Sequence, residues 1–237
     1  MAIEFDHRPS ESACIERVWR SRSDAADSMT SIATAHWTLV AWRDGRVWRI
    51  AAQGPETRAT TAPVPVETEF VGIRLSLGTR LERLPTDRLV DKDAEFAHGT
   101  RTVRIFGHTL PPLTYDDAED LVHRMVRSGV LVRDPMVGEV LSGRWPDATT
   151  RTVRRHFSSA TGLTPGAVRQ IERAREAATL IRAGAAIAET AQLLGYFDQP
   201  HLARSLRRFI GHTATELRNA TFGQLSLLYK TRPRSAT

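Results

Sequence analysis

Residues 189–217, ETAQLLGYFDQPHLARSLRRFIGHTATEL, decide the fold of the C-terminal half of this chain. Apolar residues recur at helical spacing before Gly195, where the first run stops. Asp198 follows, and its carboxylate can accept hydrogen bonds from the unpaired amides of a new helical turn. After it, Leu202, Leu206 and Phe209 recur at i, i+4 and i+7. The stretch therefore predicts two short helices joined by a glycine turn.

The outer face of the second predicted helix is polar and basic. Its members are Gln199, His201, Arg204, Arg207 and Arg208. Two short helices, a turn with glycine and a basic outer face on the second helix are typical of the helix-turn-helix, whose second helix enters the major groove of DNA. An amphipathic helix pair with a solvated charged face would show the same pattern. The stretch alone leaves both interpretations open.

A second copy of the pattern favours the helix-turn-helix. Residues 149–169, TTRTVRRHFSSATGLTPGAVR, align without a gap on residues 198–218 at an offset of 49. A glycine, a cap, an arginine and an apolar position coincide in the pairs Gly162 and Gly211, Thr149 and Asp198, Arg155 and Arg204, and Phe157 and Leu206. An isolated amphipathic pair needs no such twin, so the repeat predicts two helix-turn-helix units.

The segment between the copies is a predicted rigid spacer. Residues 166–182, GAVRQIERAREAATLIR, read as one helix that ends at Gly184. A helix of roughly 16 residues spans about 24 Å at 1.5 Å per residue. Such a spacer can set two recognition helices about 34 Å, or one DNA turn, apart on one face of the duplex.

This arrangement resembles the AraC/XylS family of bacterial transcription regulators. The resemblance covers about residues 115–221 and is carried by GYFDQPHLARSLRRFIGHT (195–213), RTVRRHFSSATGLTP (151–165) and RQIERAREA (169–177). It implies sequence-specific binding of double-stranded DNA and control of transcription, usually activation, with RNA polymerase as a partner. It also implies an N-terminal domain that senses a small molecule or dimerises, commonly on a small β barrel.

The resemblance also implies site residues. Base contacts fall on positions matching Arg151, Arg154 and Arg155 in the first unit, and Gln199, Pro200, His201 and Arg204 in the second. Phosphate contacts fall on Thr149, Arg207 and Arg208. Arg155 and Arg204 occupy the same repeat position and are the foremost candidates for base contact. A solvated helix face remains the alternative for Arg207 and Arg208.

The sequence departs from the family pattern in three ways. Pro200 replaces a side chain that could contact a base, Leu206 stands where an aromatic is usual, and Ala214 lacks the proline of its twin, Pro165. In the first unit Gly143 and Pro146 cannot continue a helix. We therefore expect its supporting helix to be shortened and its turn to be looser.

Charge is distributed unevenly along the 237 residues, whose net charge is +6. Residues 140–220 hold twelve Arg and six acidic residues, whereas residues 1–139 hold eighteen basic and twenty-one acidic ones. A basic C-terminal module joined to a slightly acidic one indicates a polyanionic partner. The single Cys14 excludes an internal disulfide and thiolate metal cages. No apolar run approaches the ~20 residues that span a bilayer, and no signal peptide is recognisable, so we expect a cytoplasmic protein.

The N-terminal half is predicted to be β-rich. Residues 1–35 are polar and Ser-rich and are interpreted as a loosely ordered lead-in. Two β-branched and aromatic runs flank Asp44 and Gly45, which predicts a hairpin. Residues 53–65 are interpreted as loop, residues 69–77 alternate as a half-buried strand does, and residues 88–90 and 102–106 are further strand candidates. The two apolar faces of the Trp-rich hairpin indicate either core packing or a ligand pocket.

Residues 110–112, Leu-Pro-Pro, end this predicted β domain, and helical periodicity follows. Asp116 is the expected cap of a first helix with a stripe of Ala118, Leu121, Val122, Met125 and Val126, and residues 134–141 form a second helix. The predicted fold class is α+β: a small, antiparallel, barrel-like β domain (1–112), an all-α double helix-turn-helix domain (113–222) and a basic tail (223–237). We expect a monomer or a homodimer.

Two other classes of function stay open. An enzyme would use the β domain, and its only motivation is the alternating Asp91, Asp93 and Glu95 with His98 and His108. An interaction adaptor would bind a protein partner through the helices. No phosphate-binding loop, nucleophile elbow or metal-spaced histidine pair is recognisable, so we expect no catalytic residues, no metal and no cofactor.

Overall fold

The structure is a computed structural model that describes residues 3–23, 27–44, 47–64, 68–98, 102–144 and 149–219. An antiparallel β-rich N-terminal region is followed by a helical C-terminal region. Within the described residues the strands are β1 (Ile3–Pro9), β2 (Ile15–Ser23), β3 (Asp27–Ser31), β4 (Thr38–Asp44), β5 (Val47–Gln53), β6 (Thr60–Val64), β7 (Thr68–Leu75), β8 (Thr79–Leu81), β9 (Asp93–His98), β10 (Val103–Ile105), β11 (His108–Leu110) and β12 (Leu131–Arg133). The helices are α1 (Ala118–Arg127), α2 (Pro135–Leu141), α3 (Thr150–Thr161), α4 (Pro165–Arg182), α5 (Ile187–Leu193), α6 (Gln199–Phe209) and α7 (Ala214–Asn219).

The main sheet has eight strands in the order β1-β2-β7-β4-β5-β9-β10-β11, and its described pairs are antiparallel. The described strands form an open sheet and not the closed form of a barrel, because β1 and β11 stand at opposite edges. Two ribbons accompany it, β12 with β8 and β3 with β6. The predicted hairpin is confirmed as β4 and β5, although its turn at residues 45 and 46 lies outside the described residues.

The lead-in prediction for residues 1–35 is wrong. This segment contains β1, β2 and β3, and β2 pairs with both β1 and β7. Alternating arginines conceal the strand, since Arg20 and Arg22 share a strand with the buried Ile15 and Val18. Both edges of β2 are paired, but the side chains of Arg20 and Arg22 are exposed to water.

Three other local predictions are also wrong. Residues 88 and 89 belong to a 3₁₀ helix, Thr86–Leu89, and Val90 follows its end, so residues 88–90 do not form a strand. The predicted loop at 53–65 contains β6, which pairs with β3. Asp117 and not Asp116 precedes α1, and Val126 is 41% exposed, outside the buried stripe.

Two apolar cores hold the molecule together. The first lies between the main sheet and α1, and includes Leu39, Ile73, Leu121 and Met125. Trp37 is also buried in it, which confirms core packing on this face of the hairpin. Residues of α1 and β12, which follow the predicted boundary at residue 112, also belong to this core.

The second core lies among α2 to α7, and it contains a segment of the N-terminal half. Ile32, Ala33 and Ala35, which follow β3, are buried with Phe157, Leu206 and other helical residues. The two regions therefore share a core and are not joined by a linker alone. No described helix is long and apolar enough to cross a membrane.

Candidate nucleic-acid interface

The first helix pair of the candidate interface is α2 and α3. Asp134 caps α2 by accepting from the Met136 amide at 3.0 Å, and Pro135 occupies the first turn, where the missing N–H is no loss. Thr149 caps α3 by accepting from the Thr152 amide at 3.3 Å. His156 binds Asp134 through its Nε2 atom and so holds α3 against α2.

Three arginines form the outward face of α3. Arg151, Arg154 and Arg155 are exposed, while Val153 and Phe157 are buried on the opposite face. No hydrogen bond or ion pair engages these three guanidinium groups within the described part of the chain. An arginine without an internal partner keeps all five N–H donors for a ligand.

The second helix pair is α5 and α6, and its turn is held from both sides. Gly195 takes a φ of 67°, a left-handed conformation that glycine adopts without steric cost. Arg173 donates to its carbonyl at 3.3 Å, and Tyr196 is buried with its hydroxyl 3.1 Å from that of Ser205. Asp198 then caps α6 by accepting from the His201 amide at 2.6 Å.

The outward face of α6 presents most of the predicted contact residues. Gln199, Arg204, Arg207 and Arg208 are exposed, whereas His201 is half-buried and packs edge-on against Tyr196 at a centroid distance of 5.2 Å. Arg204 makes no hydrogen bond or ion pair with the described residues. By contrast, Arg207 lies 3.9 Å from Glu216 and Arg208 stacks on Phe209. Thr149 and Asp198 are both used as helix caps, so the Thr149 hydroxyl already accepts one hydrogen bond.

Structural equivalences accompany the sequence repeat. Gly162 and Gly211 end α3 and α6 in left-handed conformations, with φ of 79° and 81°. The hydroxyls of Thr164 and Thr213 accept from amides three residues later, at 3.2 and 3.1 Å. These glycines and threonines therefore give the two repeats the same local backbone conformation.

The two pairs differ in their turns. The expectation that the first supporting helix is shortened is wrong, because α2 and α5 both have seven residues. The segment between the helices is longer in the first pair, from 142 to 149 against 194 to 198 in the second. Gly143 ends α2 with a φ of 82°, and residues 145–148 lie outside the described residues.

Charge distinguishes α3 and α6 from the rest of the fold. Each contains three arginines and no acidic residue. Positive charge on two outward helix faces attracts a polyanion such as DNA.

The N-terminal region holds both basic helices near their C-terminal ends. The amides of Ala33 and Ala59 donate to the carbonyls of Phe209 and Arg208 at 2.8 and 2.9 Å, and thereby satisfy groups that an α-helix leaves unpaired. The Thr86 hydroxyl donates to the carbonyl of Ser159 in α3 at 2.7 Å. The outward faces of the N-terminal halves of α3 and α6, which contact base edges in helix-turn-helix proteins, stay exposed.

A charged cluster of Glu16, His36, Arg74, Glu172 and Arg175 lies where the N-terminal region meets α4. Arg175 is fully buried and donates to the Ala33 carbonyl at 2.8 Å. Glu16 lies 2.9 Å from His36 and 3.0 Å from Arg74. Glu172 of α4 lies 3.9 Å from Arg74 and thereby joins the two regions.

The pKa values of this cluster follow from burial and from neighbouring charges. Burial would raise the pKa of Glu16, but His36, Arg74 and Arg175 outweigh it and lower that pKa to about 2. Burial and the like charge of Arg74 lower the pKa of Arg175 to about 9, which still leaves it charged at neutral pH. The sequence shows no sign of this cluster, since its members come from four separate segments.

The residues that motivated an enzyme have structural partners. Asp91 accepts from the amide and hydroxyl of Thr57, both at 2.6 Å, and Glu95 pairs with Arg49 at 2.8 Å. The side chain of His98 lies outside the described part of the structure. Two of the three acidic residues, Asp91 and Glu95, therefore have structural contacts.

Comparison with known proteins gives one finding. The model of a family described as a helix-turn-helix domain matches residues 147–220. No curated protein and no solved structure gives a match. The matched segment contains α3 to α7 and both arginine faces. The match therefore supports an AraC-type, DNA-binding helix-turn-helix domain at residues 147–220.

Proposed function

We propose that this chain is a sequence-specific transcription regulator that inserts α3 and α6 into successive major grooves of one DNA duplex. The observation that carries the proposal is the exposed arginine face on each of the two repeated helices, in which Arg155 and Arg204 occupy the same repeat position. The 18 residues of α4 span about 27 Å at 1.5 Å per residue. A spacer of this length favours two recognition helices about one DNA turn apart.

Base recognition is assigned to the outward residues nearest the helix N-termini. They are Arg151, Arg154, Arg155, Gln199, His201 and Arg204, and the phosphate contacts are Thr149, Arg207 and Arg208. Arginine can donate two hydrogen bonds to guanine O6 and N7, and glutamine can pair with adenine N6 and N7. Arg204 supports its assignment best, because it is exposed and keeps its donors unengaged by the described residues.

The regulatory role extends this proposal. Bound at a promoter in the cytoplasm, the protein would activate transcription through RNA polymerase, with the N-terminal region as a sensing or dimerisation domain. An open groove of 540 Å³ lined by Phe5, Asp6, Arg20, Ser21, Arg22 and Glu69 is the place to seek a small effector. The backbone hydrogen bonds from Ala33 and Ala59 to α6 offer a direct route from that region to DNA binding.

The test is a random-library binding selection with the full chain, followed by affinity measurements on the selected duplex. Arg204→Ala should relax specificity at one base pair, with a loss of roughly 1–3 kcal/mol of discrimination. Arg207→Ala should weaken binding to all sequences alike and reduce the slope of log affinity against log salt by about 1.

Two results would overturn the proposal. One is a selection that returns no preferred sequence although the protein is folded. The other is a sequence preference that Arg204→Ala leaves unchanged, which would defeat the assignment of Arg204 to base contact.

A further inference from the structure

The turn before α6 exposes an unusual amount of apolar surface. Phe197 is 92% exposed and Leu193, four residues earlier, is 72% exposed. The only other large hydrophobic residue that is exposed within the described part of the chain is Val126, at 41%. A phenylalanine that is almost wholly in water loses the burial that usually accompanies an aromatic ring.

Phe197 has no structural task that would explain it. It directly precedes the cap Asp198, a position where an apolar residue often packs against the fourth residue of the helix, here Leu202. Leu202 is completely buried without it, because the neighbouring Tyr196 fills the core and bonds to Ser205. The ring of Phe197 therefore stands outside the fold.

The backbone on either side of Phe197 is hydrogen-bonded, since the Tyr196 amide donates to the Ala191 carbonyl at 2.8 Å and Asp198 accepts from the His201 amide at 2.6 Å. The Phe197 amide donates to the His201 ring at 3.5 Å, and Arg173 donates to the carbonyl of Gly195 at 3.3 Å. The exposed ring is thus presented on an ordered turn, beside the first residues of α6. In a helix-turn-helix these are the residues that approach the base edges.

The surroundings favour DNA over a protein as the partner of this ring. Asp198, which directly follows Phe197, accepts from the His201 amide as the cap of α6, and residues 199–215 beyond it contain three arginines and no acidic residue. The α6 surface therefore carries positive charge that attracts a polyanion. A stable protein interface involves about 20–30 residues on each side, whereas the apolar surface here consists of two side chains. The apolar group that the major groove offers is the C5-methyl of thymine, which Phe can contact.

We propose that Phe197 contacts the C5-methyl group of a thymine beside the bases read by α6, and so adds a thymine preference to the recognised sequence. The inference rests on the proposed DNA-binding function. It assigns an apolar contact to a residue that the sequence analysis did not select. The aligned residue of the first repeat is Ala148, so the two units would differ in this preference.

The experiment replaces each thymine of the selected duplex, one at a time, by uracil, which lacks only the C5-methyl group. With the wild-type full chain, uracil at one position in the part bound by α6 should reduce affinity about fourfold, as expected for ~0.8 kcal/mol from one methylene-sized apolar group. Phe197→Ala should bind the thymine duplex about fourfold more weakly and should no longer distinguish thymine from uracil there. Phe197→Leu should retain part of the discrimination.

Val126→Ala is the matched control, because it removes an exposed apolar side chain from α1, and it should leave the uracil effect unchanged. If the selection returns a preferred sequence but no thymine-to-uracil change near α6 alters the affinity of the wild-type protein, the thymine contact alone is overturned. The same holds if Phe197→Ala leaves DNA affinity unchanged while transcription activation falls, which would indicate a protein partner. Failure to select any sequence defeats the proposed function itself.

Discussion

Arg175 shows at the scale of one residue how the two regions are joined. It lies on α4, where Ile171, Ala174 and Ala178 are also buried. Burying a guanidinium costs several kcal/mol unless it is paired and hydrogen-bonded. The Ala33 carbonyl accepts one hydrogen bond at 2.8 Å and the Glu172 carboxylate lies 3.8 Å away, while Arg175 Nε and Nη2 have no hydrogen-bond partner among the described residues. Any other docking of the N-terminal region on α4 would remove these partners from the buried Arg175 guanidinium and would therefore be unfavourable.

Glu16 of the same cluster leads to a prediction about acid stability. Its folded-state pKa of about 2 lies below the ordinary 4.5, so its contribution is fully present above pH 4.5 and is lost as the pH falls toward 2. Glu16→Gln should lower the free energy of unfolding at pH 7 and flatten its decline between pH 4.5 and 3. Urea unfolding followed by circular dichroism at several pH values measures both effects.

Glu176→Gln is the control, because Glu176 is an exposed carboxylate on α4. In Glu176→Gln the free energy of unfolding should decline with falling pH as it does in the wild-type protein. Equal declines for Glu16→Gln and the wild-type protein would show that the cluster does not protect the fold from acid.

At the scale of the element, α6 is defined by its two ends. Asp198 caps the start within the helical region, while the end at Phe209 relies on amides of Ala33 and Ala59 from the N-terminal region. Gly211 follows in a left-handed conformation against the β3–β6 ribbon. The start of α6 is thus fixed by neighbouring residues, whereas its end is fixed by contacts with the N-terminal region.

Gly211→Ala should therefore destabilise more than Gly195→Ala. Both glycines have positive φ, so each substitution costs about 1–2 kcal/mol of backbone strain. A Cβ at Gly211 would also lie 3.0 Å from the Cβ of Ala59 and 3.1 Å from Thr30, whereas one at Gly195 meets nothing within 4 Å. We expect an additional loss of about 1 kcal/mol or more from overpacking, measured by urea unfolding. Equal losses would refute the close approach of α6 to the β3–β6 ribbon.

At the scale of the whole molecule, the helical region completes its core with residues from the N-terminal half. Ile32 is fully buried with Phe157 and Leu206, although it follows a strand of the other region. Conversely, α1 and β12 pack on the sheet and not on the other helices. A fragment that begins at residue 113 would lack part of its own core and would carry an unpartnered helix. DNA-binding measurements therefore require the full chain.

Ile32→Ala should destabilise the DNA-binding helices from outside their own sequence. Removing a fully buried isoleucine side chain costs about 2–5 kcal/mol. Thermal unfolding should show a lower midpoint for the helical signal, and Val126→Ala, at an exposed position, should shift it little. An unchanged helical transition in Ile32→Ala would mean that the two regions do not share a core.

Much of the fold could be predicted because its signals are local. The β4–β5 hairpin, the alternation of β7, the caps Asp134, Thr149 and Asp198, and the glycine ends of α3 and α6 each depend on a few neighbouring residues. The repeat added independent copies of the same signals. Together they indicated the helix-turn-helix domain, which the family match over residues 147–220 bears out.

By itself, the sequence determined the identities and spacings of these local elements and the outward arginines of α3 and α6. Tertiary structure alone decided that residues 3–9 and 15–23 are strands, that Ile32 completes the helical core, and that Arg175 and Glu16 meet in one cluster. It also decided that Tyr196 and not Phe197 is buried in the turn before α6. The physical reason is that pairing and docking depend on contacts between residues distant in the chain, whose energies no local period or composition reports.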